Sequence, residues 1–313
     1  MKHDRGPLGC TTELRFEAPL DIRASIEGFR RWGDDLLDRW DGEVLLRTVR
    51  SAGEAFGVAA WPVGSPGKPC LRIQVDDERH LHAAATAAAS WFVTVPRATL
   101  TALTRRDPII GAVERMHPGV RPVRHLDILH ALVRSISAQQ INLRFAAVVR
   151  ARLAERYGTR HTVAGHTVHS LDAERLAGAR AADLRALQFT TRKSEYIIGV
   201  AGAVLGGSLD LDTLAQQTDE RVIAELVSLD GVGRWTAEWL LARSLGRPVV
   251  VAGDLGVRKA VGHAYRDGAM PTEQEVREIT SHWGAAAGVA QQLLLHALVE
   301  NRWEEIRAAA AVP

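Results

Sequence analysis

Asp254 is the carboxylate whose neighbours best equip it for chemistry. It follows the apolar run Val249-Val250-Val251-Ala252-Gly253 and precedes Leu255, Val257 and Val261, whose spacing predicts a helix starting at or beside it. There it would accept hydrogen bonds from free backbone N–H groups, which favour the ionised form. A fixed anion of this kind can stabilise positive charge growing on a substrate or orient a water for attack. Upstream stands Gly231-Val232-Gly233, two glycines that permit positive φ and put no Cβ in the way of a bulky anion. Arg234 then opens a run with Ala237, Leu240, Leu241 and Leu245 at helical spacing. Unpaired N–H groups and the positive end of that helix face the glycines, so a phosphate would bind well there.

The elements that must position these groups read as helix (from Asp219 to Leu229), tight turn, helix, the loop Gly246-Arg247-Pro248, an extended run, and a further helix carrying Arg258 and Lys259. Either half alone is weak, since a Gly-x-Gly turn is usually only a turn and an Asp before a helix usually only a cap. Their spacing, with Arg-Trp-Thr-Ala between them, is specific. GVGRWTAEWLL followed by AGDLGVRKA resembles the helix-hairpin-helix, Gly/Pro-rich loop and catalytic Asp of the DNA glycosylase superfamily, of the 3-methyladenine DNA glycosylase II type. The resemblance covers residues 120 to 303 and reaches the N-terminal region by pattern only.

The resemblance implies a role for each matching residue. Asp254 is the catalytic carboxylate, and Gly231, Val232, Gly233, Arg234 and Thr236 hold one phosphodiester backbone, Thr236 through its hydroxyl. Ser137-Ala138-Gln139-Gln140-Ile141-Asn142 is similar to the turn that fills the hole left by a flipped nucleotide, with Gln140 as the wedge, or Gln139 by a shifted alignment. The competing reading is an amide-rich helix junction that satisfies backbone groups. Trp235, Trp239 and Trp283 line or border an aromatic base pocket, suited to alkylated bases that carry positive charge. For Trp235 and Trp239 core packing is an equal alternative, and Trp283 is the preferred pocket residue. Trp235 occupies the place of the Schiff-base lysine of lyase-competent relatives and cannot form an imine, which implies a monofunctional hydrolase. Arg192-Lys193 is either solvated charge or a second phosphate contact. No cofactor is implied beyond a monovalent cation at the hairpin carbonyls when DNA is bound.

Three departures bear on the pocket and the DNA path. Asp230 replaces a common Pro and puts an anion near the phosphate. Leu255 stands where a relative has an aromatic residue. Gly284-Ala285-Ala286-Ala287-Gly288 replaces a bulkier Pro/Trp/Arg segment, so the pocket is expected to be wider or less aromatic.

Composition sets outer bounds. At 313 residues and 46% hydrophobic content two globular domains are expected. A net charge of +2 means that any nucleic-acid surface must come from local clustering. Cys10 and Cys70 fit no metal spacing, and an iron–sulfur cluster of four cysteines is excluded by the count of two. His161, His166 and His169 lack zinc spacing, so no metal site is expected. No apolar run approaches the roughly 20 residues of a membrane helix and no signal-peptide core is evident. The expectation is a soluble, cytoplasmic monomer, and the resemblance implies that its partner is double-stranded DNA containing damaged bases.

Along the chain, a loose start over the first ten residues gives way to a strand from Thr11, a helix from Asp21 to Trp32, strand candidates Glu43–Val49, Glu54–Trp61 and Cys70–Val75, and a helix from Leu81 to Phe92. That order predicts an antiparallel sheet with helices on one face. The resembled family has a TATA-binding-protein-like α+β domain there. The expected layout is therefore an α+β domain over 1–95, then an all-α glycosylase region over 96–313 with the helix-hairpin-helix at 219–246. After Pro96 the pattern is almost wholly helical, with breaks at Asp107-Pro108 and Met116 to Gly119, a capping box at Thr272 and Glu275, and a last helix from Val289 to Trp303. Two other functions remain open at this point: excision of deaminated or oxidised bases, and recognition of damaged DNA without chemistry.

Overall fold

The computed structural model describes residues 9–311, so most of the expected loose start lies outside the described residues. The chain begins with β1 (Cys10–Arg15), α1 (Ile22–Arg31), β2 (Arg39–Trp40), β3 (Leu45–Ser51), β4 (Glu54–Pro62), β5 (Cys70–Val75) and α2 (Leu81–Ala89). The strands pair antiparallel in the order β1-β5-β4-β3-β2. Alternation turns Leu71, Ile73 and Val75 of β5 inward against Ile26 and Trp91, which is why a half-polar sequence makes a strand with one buried face. The two-residue β2 was not legible in the sequence, being too short to show a period.

Next come α3 (Arg97–Arg106) and α4 (Pro108–Met116). The expected break at Asp107-Pro108 is a joint between two helices. Asp107 closes the first and caps the second by accepting the Ile110 N–H at 3.0 Å, and Pro108 sits at the first helical position, where no N–H is needed.

After α5 (Ile128–Ala138) and α6 (Leu143–Tyr157) the chain departs from the helical expectation. The hairpin β6 (Gly158–Val163) and β7 (His166–Leu171) turns at Ala164 and Gly165, with φ of 52° and 77°. Two consecutive positive φ values match the twist of a two-residue hairpin. Val163 and Val168 pack on Val44, Leu46 and Ala59, on the face of the sheet away from α1 and α2. The alternating Thr-Val pattern around Ala-Gly was the available signal.

The remaining elements are α7 (Ala173–Ala177), α8 (Ala181–Ala186), α9 (Thr191–Leu205), α10 (Leu211–Ala215), α11 (Asp219–Val227), α12 (Arg234–Arg243), α13 (Leu255–Tyr265), α14 (Glu273–Thr280), α15 (Ala287–Glu300) and α16 (Trp303–Ala310). The expected final helix is two: Asn301, left-handed at φ 52°, ends α15 before α16 begins. The helices form two cores. Leu132, Ile136, Ile197, Leu240 and Leu241 anchor one, built on α5, α9 and α12. Ile110, Val257, Val261 and Leu293 anchor the other, built on α4, α13 and α15. The segment from α12 to α13 crosses between them and delivers Asp254 to their seam. Among the described residues no helix is long and apolar enough to cross a membrane, and no group of His, Cys, Asp and Glu could hold a metal ion.

Candidate active site

The hairpin turn is set by its first glycine and its valine. Gly231 has φ +80°, and a Cβ there would lie 2.1 Å from the Tyr196 ring, so backbone and space both demand glycine. Val232, 3% exposed, plugs into the first core and its N–H donates to Leu229 O at 3.1 Å. Gly233 corrects the expectation of two positive-φ glycines: its φ is −86°, an ordinary extended value. Its freedom is instead outward, since a Cβ would meet nothing within 4 Å. Gly233 caps α12 without any side-chain hydrogen bond, and the first helical bond comes only at Ala237 N–H. The N–H groups of the first turn are thus left to an external acceptor.

Arg234 is 63% exposed at its side chain while its Nε donates to the buried Glu238 at 2.8 Å. Arg277 grips the same carboxylate at 2.8 Å. The anchored Arg234 therefore stands beside the bare helix end with the rest of its guanidinium in solvent. Thr236 does not fit the hydroxyl role that the resemblance implies. It is 1% exposed and its Oγ1 accepts from Ser135 Oγ at 3.0 Å, so the hydroxyl fastens α12 to α5 and only the backbone N–H remains for an anion.

Asp254 is half-buried and caps α13. Oδ1 accepts the Val257 N–H at 2.9 Å and Oδ2 accepts the Trp235 indole N–H at 3.1 Å. The second bond crosses the seam from α12 and orients the carboxylate without neutralising it. Leu255, 57% exposed, places an apolar side chain at the start of α13.

Trp235, Trp239 and Arg243 are spaced by four along α12 and form one half-buried stripe. Trp239 stacks on His125 with ring centroids 5.2 Å apart, and the edge of Phe29 meets the same imidazole at 6.0 Å. Arg243 donates through Nη2 to Gln292 Oε1 at 2.6 Å, across to α15. Burial lowers the Arg243 guanidinium to about 10, against the pull of Asp254. His125, Arg243 and Gln292 escaped the sequence reading. Only Arg243 left a signal, as the next member of the Trp235/Trp239 series.

Trp283 is a correction. At 2% exposure it belongs to the second core, with its indole N–H 3.3 Å from Asp107 Oδ2, which also accepts from the Tyr265 hydroxyl at 2.6 Å. Core packing has consumed the faces a pocket would need. Trp235 and Trp239 keep partly open faces.

The two candidate wedge residues have different surroundings. Gln139 Nε2 donates to Gly231 O at 3.0 Å, tying the turn after α5 to the hairpin. Gln140 is exposed with φ +54° at the tip. Lys193 Nζ supports the turn from below, donating to Ser137 O at 3.0 Å and Gln139 O at 2.7 Å. Its charge is spent on the carbonyl end of α5, so of the Arg192-Lys193 pair only the exposed Arg192 is free for a phosphate.

Residues 133–285 match the model of the HhH-GPD superfamily base excision DNA repair protein. The chain is 29% identical over 183 residues to a DNA-3-methyladenine glycosylase of Bacillus subtilis, a match covering 58% of this chain and 60% of that protein. It is 31% identical over 134 residues to DNA-3-methyladenine glycosylase 2 of Escherichia coli, covering 43% and 47%. Among solved structures it superposes on the 3-methyladenine DNA-glycosylase from Archaeoglobus fulgidus with a TM-score of 0.79 at 22% identity, over 93% of this chain and 98% of that one. The fold is that of a helix-hairpin-helix glycosylase preceded by an α+β domain. The stretch that matches the HhH-GPD superfamily model takes in the hairpin and Asp254. The matched stretch spans about 60% of the length of the two Bacillus subtilis relatives.

Proposed function

We propose that this protein is a monofunctional DNA glycosylase of base excision repair, which extrudes alkylated bases such as 3-methyladenine from double-stranded DNA and hydrolyses their N-glycosidic bond. The observation that carries this reading is the Asp254 carboxylate, held by neutral donors at the end of a tryptophan stripe and joined through Trp235 to the bare N-terminus of α12.

The backbone N–H groups of Gly233 to Thr236, with Arg234, grip a phosphate. Gln140 enters the stack as the nucleotide leaves, offsetting part of an extrusion cost of about a few kcal/mol. Trp235 and Trp239 offer partly open aromatic faces to the extruded base, which a positively charged alkylated purine favours. As the bond to the base lengthens, positive charge grows on the sugar, and Asp254 stabilises it and orients the water that completes hydrolysis. No amine stands at Trp235 to form an imine, and the nearby Lys193 is committed to backbone carbonyls. The hairpin carbonyls of Leu229 and Gly231 accept hydrogen bonds within the protein, so those of Asp230 and Val232 would hold a monovalent cation, which would supply positive charge beside a bound phosphate.

The reading is tested by incubating the protein with methylated duplex DNA in the presence of borohydride. Free methylated base should appear with no covalent protein–DNA adduct. A trapped adduct would contradict the monofunctional assignment, and release confined to a deaminated or oxidised base would move the substrate class.

A further inference from the structure

We propose that Arg243, braced by Gln292, is a specificity-determining residue that makes the Asp254 site prefer alkylated guanines to alkylated adenines. The inference rests on the excision reading above and concerns which base the same site takes.

Arg243 continues the stripe of Trp235 and Trp239 on α12, and long side chains on a helix lean toward its N-terminus. That lean carries its guanidinium back toward Trp239, on the side of α12 from which Trp235 reaches Asp254. Among the described residues its side chain makes one hydrogen bond, from Nη2 to Gln292 Oε1, leaving Nε and Nη1 without a partner. Arginine has no acceptor, so Gln292 must turn its oxygen toward Arg243 and its amide NH2 away. The pair therefore presents donors only: guanidinium N–H groups from α12 and an amide NH2 from α15.

A donor-only edge beside stacked aromatics selects bases by their acceptors. Guanine alkylated at N3 keeps both O6 and N7 free on one edge, the pair that an arginine fork engages through two parallel hydrogen bonds. Adenine alkylated at the same atom offers N7 but carries an amine at position 6, which points a donor at a donor. Both nucleosides bear the same formal positive charge, so the guanidinium repels them alike and repulsion cancels in the comparison. What remains is the hydrogen-bonding difference, and a missing acceptor in a buried site is discriminated more strongly than a missing methylene.

The test is the relative kcat/KM for release of 3-methylguanine and 3-methyladenine from one methylated duplex, each corrected for its abundance. The wild type should favour 3-methylguanine by about tenfold. Arg243→Met, of similar length without donors, should bring the ratio to within about twofold of unity, and Arg243→Lys, which keeps a charged donor but loses the fork, should fall between. Because both rates come from one preparation, a partly unfolded variant changes both equally and leaves the ratio intact. An unchanged ratio in Arg243→Met or Arg243→Lys would overturn the proposal, as would a wild type with no preference for guanine. Release of neither base by the wild type is a distinct result that removes the excision reading, and the proposal with it.

Discussion

The buried pair Asp35 and Asp38 and the lone carboxylate Asp254 are built on opposite principles. Asp35 and Asp38 lie almost fully buried where the loop before β2 meets α5 and α6. Asp35 accepts from Arg150 at 2.9 Å and Arg134 at 2.8 Å, and Asp38 from Arg47 at 2.7 Å and Arg134 at 2.9 Å. Burial alone would push Asp38 up, but Arg47, His125 and Arg134 hold it well below the usual carboxylate range. Both carboxylates there are paired with arginines, and the network ties the α+β domain to the helical region through Arg47 on β3, Arg134 on α5 and Arg150 on α6. Asp254 has no such pairing: two neutral N–H donors fix its direction while its charge stays available across the seam. A fully paired carboxylate is structural cement, whereas one held by neutral dipoles keeps a field that a developing cation can use. His125 links the two regions, with Nδ1 3.4 Å from Asp38 and its ring under Trp239.

The contrast makes the largest prediction one of stability. Asp35→Ala leaves Arg150 without a counter-ion and Arg134 with Asp38 alone, and should cost about 3–5 kcal/mol in urea unfolding. Asp254→Asn, in which Asn caps a helix about as well as Asp, should cost under about 1 kcal/mol. Comparable losses in both would mean that the two sites do the same job.

The next effect is on pH. Burial lowers the His125 imidazole from 6.5 to about 4, so the folded state keeps it neutral where the unfolded chain already binds a proton. Stability is therefore intact above about pH 6.5 and declines as pH falls toward 4, by on the order of 3 kcal/mol. Asp35 and Asp38 are depressed in the folded state, so their contribution persists above the ordinary value of 3.8 and is lost only at lower pH. His125→Asn should flatten the upper limb alone, as read by urea midpoints at pH 7, 5.5 and 4.5. A slope unchanged in that variant would remove His125 from the account.

The smallest effect separates the two hairpin glycines. Gly233→Val should weaken binding to undamaged duplex about tenfold at matched salt with little change in stability, because its Cβ points into open space on the phosphate side. Gly231→Val should instead destabilise the fold by a few kcal/mol through Tyr196 and its positive φ. Equal affinities for Gly233→Val and wild type would argue that no phosphate docks at α12.

What was legible in the sequence was local. The hairpin, the Asp254 cap, the Thr272–Glu275 capping box and most helices follow from spacing and capping residues within a few positions of one another. What escaped depends on distant chain segments. Trp283 reads like a pocket residue until Asp107, 176 positions away in sequence, meets its indole N–H and the second core closes round it. Thr236 reads like a phosphate ligand until Ser135 takes its hydroxyl. His125 has no local pattern at all, and its place under Trp239 exists only because the α+β domain brings Asp38 and Phe29 against α12. The β6–β7 hairpin and the left-handed Asn301 between α15 and α16 are local features that the almost wholly helical pattern around them masks.

The most direct test of the central claim is release of methylated base from duplex DNA by wild type and Asp254→Asn, measured with lesion binding on the same preparations. The account predicts a loss in rate of about a thousandfold or more with binding to damaged duplex retained. Turnover that survives in Asp254→Asn would contradict it, because the carboxylate would then be an N-cap and nothing more.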